Sequence, residues 1–202
     1  MLQFNFHPFP ELATARLHLR QLTLKDAGEI FSLRADEKVN KYLNRPKAHS
    51  IDDATAFIEK INKGIANNES LYWAITMNHE SNLIGTISLW NISKEESKAE
   101  IGYELMPAYQ GKGLMQEAFA KAIEYIFDVL KIETIEAWTH SQNLSSSRIL
   151  ERNGFRRDHE AEETNKGDLG ENVIYSRLSV CPVGMEPPEK NQARVTKGHS
   201  RA

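Results

Sequence analysis

A chain of 202 residues with 40% hydrophobic content can bury one sizeable core and sits at the scale of a single domain. No run approaches the roughly 20 apolar residues of a membrane span, and the start "MLQFNFHPFPEL" lacks the basic and apolar stretches of a secretory leader, so a cytoplasmic protein without membrane contact is expected. Residues 1 to 180 carry 21 Lys and Arg against 26 Asp and Glu, which argues against a nucleic-acid binder, and the lone Cys181 excludes an intramolecular disulfide.

The stretch 14–22 alternates Leu17 and Leu19 with polar neighbours, the period of a half-buried strand. Thr23 and Asp26 stand at capping-box spacing, and Leu24, Ala27, Ile30, Phe31 and Leu33 follow along one helical face. Ser50 and Asp53 repeat the device before a second helix with the stripe Ile51, Ala54, Phe57, Ile58 and Ile61. The β-rich runs 71–77 and 82–90 flank the polar turn "NHES" and predict a hairpin. A third run, 98–106, alternates Ile101, Tyr103 and Leu105 against Glu100, Gly102 and Glu104, giving three antiparallel neighbours.

An amphipathic helix with the stripe Leu114, Ala118, Ala122, Tyr125, Ile126 and Val129 comes next, then a strand over 132–140. A short helix over 144–154, closed by Gly154, precedes two further strands at 155–162 and 171–180. The order β-αα-βββ-α-β-α-ββ is that of a mixed α/β chain. Residues 181–202 hold Pro, Gly and charge without any period and predict a disordered tail after a single domain over 1–180.

The stretch from Tyr109 to Phe119, "YQGKGLMQEAF", sets two glycines at the start of a helix. A helix N-terminus presents unpaired N–H groups and the positive end of the macrodipole, and glycines let an anion come close to that backbone. The loop is therefore a candidate phosphate cradle. It is neither a Walker loop nor a dinucleotide fingerprint, which needs a small residue where Gln116 stands. Taken alone, it is equally a glycine-containing turn before a capped helix.

Gln110, Gly113 and Met115 fall at the positions of the signature Q/R-x-x-G-x-G/A, Asn143 to Ser146 reads N-x-x-S, and "ILERNGF" (149–155) follows it. With these elements in that order, residues 14 to 180 resemble the GNAT superfamily of acyl-CoA-dependent N-acyltransferases. Met115 departs from the signature, which wants Gly or Ala there. "EIGYEL", "YQGKGLM" and the closing "GF" look most like the ribosomal-protein Ser/Ala N-terminal acetyltransferase branch. The resemblance implies the GNAT fold, an α/β (α+β) architecture with a mixed, mostly antiparallel central sheet flanked by helices. It also implies acetyl-CoA as acetyl donor and no metal, in keeping with histidines that occur without partners in any metal-binding spacing.

By the same resemblance, the pyrophosphate rests on the backbone N–H groups of Gly111, Lys112, Gly113, Leu114 and Met115 beside Gln110, with the Lys112 side chain adding charge. The pantetheine arm runs along Leu105 and Met106, opposed by Asn143, and an N–H near Met106 meets the oxyanion. Asn143 is also readable as a cap for the following helix. Glu100 is the general base, through water, with Glu104 on the same strand face as the alternative. Ser146 is the acid, since the position four residues later is Leu150 rather than tyrosine; Ser145 to Ser147 are equally readable as helix caps.

An α-amine with a pKa near 7.7–8 is roughly 10–20% neutral at pH 7, against about 0.04% for lysine. A protein N-terminal α-amine is thus the first expected acceptor. The alternatives are a small amine, such as an aminoglycoside, polyamine or amino-acid derivative, and a non-catalytic acyl-CoA-binding sensor. The resemblance places the acceptor groove at residues 34–50 and 162–171 and leaves a homodimer open. Trp73, Trp90 and Trp138 are expected to pack on the sheet, and Tyr42 to pack or to line the groove.

Overall fold

Consecutive strand residues face opposite sides of a sheet, so Tyr72 and Trp73 report what lies on each side. The Tyr72 ring meets Phe57 edge-on at 5.7 Å, and Trp73 meets Tyr125 at 6.0 Å. The helices that carry Phe57 and Tyr125 therefore cover opposite faces of one sheet. In the computed structural model, which describes residues 4–179, the predicted tail and Cys181 lie outside the described residues.

In chain order the strands are β1 Leu12–Ala13, β2 Leu17–Gln21, β3 Leu71–Met77, β4 Leu83–Ser93, β5 Lys98–Leu105, β6 Thr134–His140, β7 Arg156–Arg157 and β8 Asn172–Leu178. The helices are α1 Ala27–Ala35, α2 Glu37–Asn40, α3 Ile51–Ala66, α4 Leu114–Asp128, α5 Leu144–Arg152, α6 His159–Thr164 and α7 Lys166–Leu169. Among the described residues the strands form one sheet in the order β1-β2-β3-β4-β5-β6-β8-β7. Every pairing is antiparallel except that of β5 with β6. This is the mixed, mostly antiparallel sheet flanked by helices that the sequence predicts.

The exceptional pair positions the site. The parallel ladder joins Lys98, Ala99 and Glu100 to Thr134, Ile135 and Glu136 and stops there. Beyond Glu100, β5 stays with β4 as far as the Gly85 and Leu105 pair, while β6 stays with β8 as far as His140 and Asn172. Each strand keeps its other neighbour, so the sheet opens into a wedge.

The observed elements differ from the predicted ones at two places. The strand expected over 155–162 shortens to β7, because Asp158 accepts a hydrogen bond from the Ala161 N–H at 2.9 Å and starts α6. Glu162 on that helix joins Arg157 at 2.8 Å and the Ile174 N–H at 3.1 Å, holding α6 against β8. A further short helix, α2, stands between the two expected ones, capped by Asp36, which accepts from the Val39 N–H at 2.9 Å. Of the apolar stripes, Ala27, Ile30, Leu33, Ala54, Ile58, Ala118, Ala122 and Ile126 are buried, whereas Leu24, Ile51 and Val129, at helix ends beyond the core, are exposed.

Candidate active site

The wedge continues into a cleft of about 900 Å³ that reaches both faces of β5. Eight of the sequence-predicted site residues line it: Glu100, Ser146, Leu105, Gln110, Gly111, Gly113, Met115 and Asn143. Met106, Lys112 and Leu114 are not on its wall.

Hydrogen-bond alternation decides which β5 backbone groups face the cleft. The Met106 N–H donates to the Ile84 carbonyl at 2.9 Å, so it cannot serve the oxyanion or the arm as expected. Leu105 sits opposite Gly85, and in an antiparallel ladder the neighbours of such a bond point the other way. The backbone groups of Tyr103 and Leu105 are therefore turned away from β4, toward the wedge. Gln110 donates its Nε2 hydrogen to the Leu105 carbonyl at 2.8 Å, which gives that side chain a structural task at the strand end.

Gly111 and Gly113 have φ of +75° and +73°. An added Cβ would meet nothing within 4 Å at Gly111, and at Gly113 only Arg16 Nη2 at 3.7 Å, so backbone conformation requires these glycines rather than crowding by protein atoms. The left-handed turn at Gly113 starts α4, whose first N–H groups have no partner within the helix. Leu114 and Met115 bury their side chains in the core and offer the loop only their backbone. Lys112 Nζ lies 5.5 Å from the Tyr109 ring centre, and the Lys112 carbonyl accepts from Arg16 Nη1 at 3.1 Å. Glu117 accepts from Thr14 Oγ1 at 2.6 Å and from the Arg16 N–H and Nε at 2.9 and 2.6 Å, clamping the β1–β2 turn to this helix start.

On the α3 face, Glu100, Gly102 and Glu104 share one side of β5. Glu104 is enclosed: its side chain is 7% exposed, it pairs with Arg45 at 2.5 Å, and Thr86 and Tyr72 approach at 3.3 and 3.4 Å. Burial, reinforced by the charge of Glu104, raises the Tyr72 phenol, so it stays protonated and donates. Glu100 is half-buried, and among the described residues its side chain takes a single hydrogen bond, from Asn91 Nδ2 at 3.0 Å. Between the two carboxylates the Trp90 indole fills the space a side chain at Gly102 would take, with ring atoms 3.1 and 3.3 Å from an added Cβ. Trp90 is 40% exposed and lines the cleft, unlike Trp73, which packs in the core as expected; Tyr42 also lines the cleft, 5.1 Å from the His140 ring.

On the other face, Asn143, which lines the cleft, accepts from the Ser146 N–H at 3.2 Å through Oδ1 and so caps α5, while its amide Nδ2 has no hydrogen-bond partner among the described residues. Ser146 Oγ lies 2.7 Å from the Tyr103 hydroxyl, whose single proton has two acceptors in reach, that oxygen and the Ser146 carbonyl at 3.2 Å. Desolvation raises the Tyr103 phenol, and the Ser146 hydrogen bond offsets only part of that, so the tyrosine is a proton donor at neutral pH. Leu150 is buried in the core. Tyr103, Arg34 and Arg45 are site residues that sequence reasoning missed. Strand alternation marked Tyr103 only as the core-facing partner of Ile101 and Leu105.

These features fit an extended acyl thioester with a phosphate tail: turned-out strand amides, a glycine turn with open space beside it, and the buried Gln116 Oε1, which has no hydrogen-bond partner among the described residues. The profile of the acetyltransferase (GNAT) domain matches residues 16–156. The chain belongs to the GNAT family of acetyltransferases.

As a GNAT acetyltransferase it is an acetyl-CoA-dependent enzyme. It is 32% identical over 150 residues to the uncharacterized N-acetyltransferase YoaA of Bacillus subtilis, covering 74% of this chain and 85% of that protein. It is 26% identical over 159 residues to the ribosomal protein uS5 alanine N-acetyltransferase of Escherichia coli, covering 75% and 80%. Spermidine N(1)-acetyltransferase of Vibrio cholerae is 27% identical over 141 residues, covering 70% and 79%. Among solved structures, a GNAT-family acetyltransferase from Bacillus anthracis superposes with a TM-score of 0.70 at 24% identity, covering 84% and 99%. Among the described residues of this GNAT enzyme no group of three His, Cys, Asp or Glu side chains is placed to hold a metal ion, and no helix is long and apolar enough to cross a membrane.

Proposed function

We propose that this chain transfers the acetyl group of acetyl-CoA directly to a protein N-terminal α-amine of the ribosomal Ser/Ala type. The observation that carries the chemistry is the contrast between the two carboxylates. Glu104 is locked by Arg45, Tyr72 and Thr86, whereas Glu100 stands at the wedge with one of its oxygens held by Asn91, leaving the other for a water. Glu100 is the general base, accepting the amine proton through that water.

Acetyl-CoA supplies the activated acyl thioester. The backbone of Tyr103 and Leu105 pairs with its amide-bearing arm, and Gln116 Oε1 and Asn143 Nδ2 offer an acceptor and a donor among the residues that line the cleft. The N–H groups from Gly111 to Met115 hold the phosphates at the positive end of α4. Ser146 gives a proton to the departing sulfur and is resupplied by Tyr103 at 2.7 Å. Similarity to the uS5 alanine enzyme supports an α-amine acceptor, and the spermidine enzyme makes a polyamine the rival to test.

The test is thiol release from acetyl-CoA with Ser- and Ala-starting peptides, spermidine, aminoglycosides and amino acids. Peptide turnover supports the proposal, and exclusive turnover of spermidine or an aminoglycoside overturns it. Glu100→Gln should lower kcat about 100-fold or more with CoA affinity by calorimetry unchanged. Full turnover in that variant would remove Glu100 from the mechanism.

A further inference from the structure

The acceptor end of the cleft holds more positive than negative charge. Arg34 from α1 and Arg45 from the segment between α2 and α3 both line it, with Glu104 as their shared counter-charge. Arg45 uses that carboxylate at 2.5 Å and gives its Nε hydrogen to Asn40 Oδ1 at 2.9 Å. The Arg34 guanidinium instead lies 4.1 Å over the Phe57 ring, and among the described residues no hydrogen bond or ion pair takes its N–H groups. Burial first, then repulsion from Arg45, pulls Arg34 below its ordinary value, the signature of a desolvated cation with too little compensation.

A half-buried guanidinium held over an aromatic ring, with its donors unfilled, is prepared for a planar anion such as a carboxylate. We infer that the acceptor is an amine whose own molecule carries a carboxylate, which Arg34 binds while the amine reaches Glu100. This deepens the α-amine reading and rests on it. Glu100 and Glu104 lie four residues apart on β5, roughly 13 Å, and Arg34 sits at the Glu104 end. That span suits an acidic side chain near the start of a peptide, or the far carboxylate of a small peptide-like amine. It disfavours a polyamine, whose remaining ammonium groups would face Arg34 and Arg45.

The experiment compares kcat/KM for matched acceptors: peptides beginning Ser-Glu against Ser-Gln and Ala-Asp against Ala-Asn, dipeptide acids against dipeptide amides, and spermidine. The wild-type enzyme should prefer the charged member of a pair roughly tenfold or more, chiefly through KM, and the preference should shrink on adding salt. Preference within the Ser-Glu and Ala-Asp pairs identifies an acidic side chain, and preference within the dipeptide pairs a terminal carboxylate. Arg34→Gln should bring that ratio close to one, and Arg34→Lys should recover part of it. Ratios at or below one in the wild type, or preference for spermidine, overturn the inference.

Calorimetry separates this idea from the transfer reading. The acetylated Ser-Glu peptide should bind the CoA-loaded protein at least tenfold more tightly than acetylated Ser-Gln. That difference, or the same difference between an acetylated dipeptide acid and its amide, without any turnover would keep the anion site and reject the α-amine reading; equal binding within both pairs would reject the anion site.

Discussion

Tyr103 and Ser146 are the residues at which one proton path can be dissected. The phenol and the hydroxyl are 2.7 Å apart, and both belong to the face of β5 that meets α4, where Tyr103 packs edge-on against Phe119 at 4.9 Å. If the serine protonates sulfur and the tyrosine resupplies it, Tyr103→Phe and Ser146→Ala should each lower kcat roughly 3- to 10-fold, the scale of one hydrogen bond. The double variant should be little worse than either single one, because both changes break one path. Multiplicative losses in steady-state kinetics would show that the two act separately. Ser146 was legible in the sequence through the N-x-x-S spacing; Tyr103 was not, because alternation reports which face a side chain takes and not what waits there.

At the scale of an element, the start of α4 is the feature on which the proposed donor binding rests. Gly113 begins the helix at φ +73°, a region costing an L-residue roughly 1–2 kcal/mol. Gly113→Ala should therefore lower the thermal midpoint and raise the KM for acetyl-CoA, while the acceptor KM changes little. An unchanged donor KM would mean that the turn does not hold the phosphates. The glycine loop was the most readable part of the site, since helix start, glycine spacing and dipole are all local. Its bracing was not readable: Glu117 and Arg16 tie the loop to a turn about 100 residues earlier in the chain. The short β7 shows the reverse case, where a run expected to be a strand gave way to the cap supplied by Asp158.

For the whole molecule, two carboxylates couple folding to pH. Asp26 receives Arg20 at 2.7 and 2.9 Å and the Thr23 N–H at 2.8 Å; burial pushes its carboxyl up, but these bonds prevail and hold it below the ordinary range. Glu117 is lowered likewise, desolvation being outweighed by Thr14 and Arg16. A folded value below the unfolded one means that each group stabilises the fold fully above about pH 5, and that this contribution is lost as pH falls through about 4 and below. Urea unfolding at a series of pH values should show that decline, and Asp26→Asn should be less stable at pH 7 with a shallower acid limb. Equal slopes in the two proteins would remove Asp26 from the acid response. The amino-acid sequence by itself determined the order of the longer helices and strands, the glycine turn and the acetyltransferase resemblance, because period, caps and motif spacing act over a few residues. Only the tertiary structure decided the wedge after Glu100, the enclosure of Glu104 by Arg45 across 59 positions and the meeting of Tyr103 with Ser146 across 43. Those contacts follow from strand register and from which neighbour each strand keeps, long-range choices that local spacing does not carry.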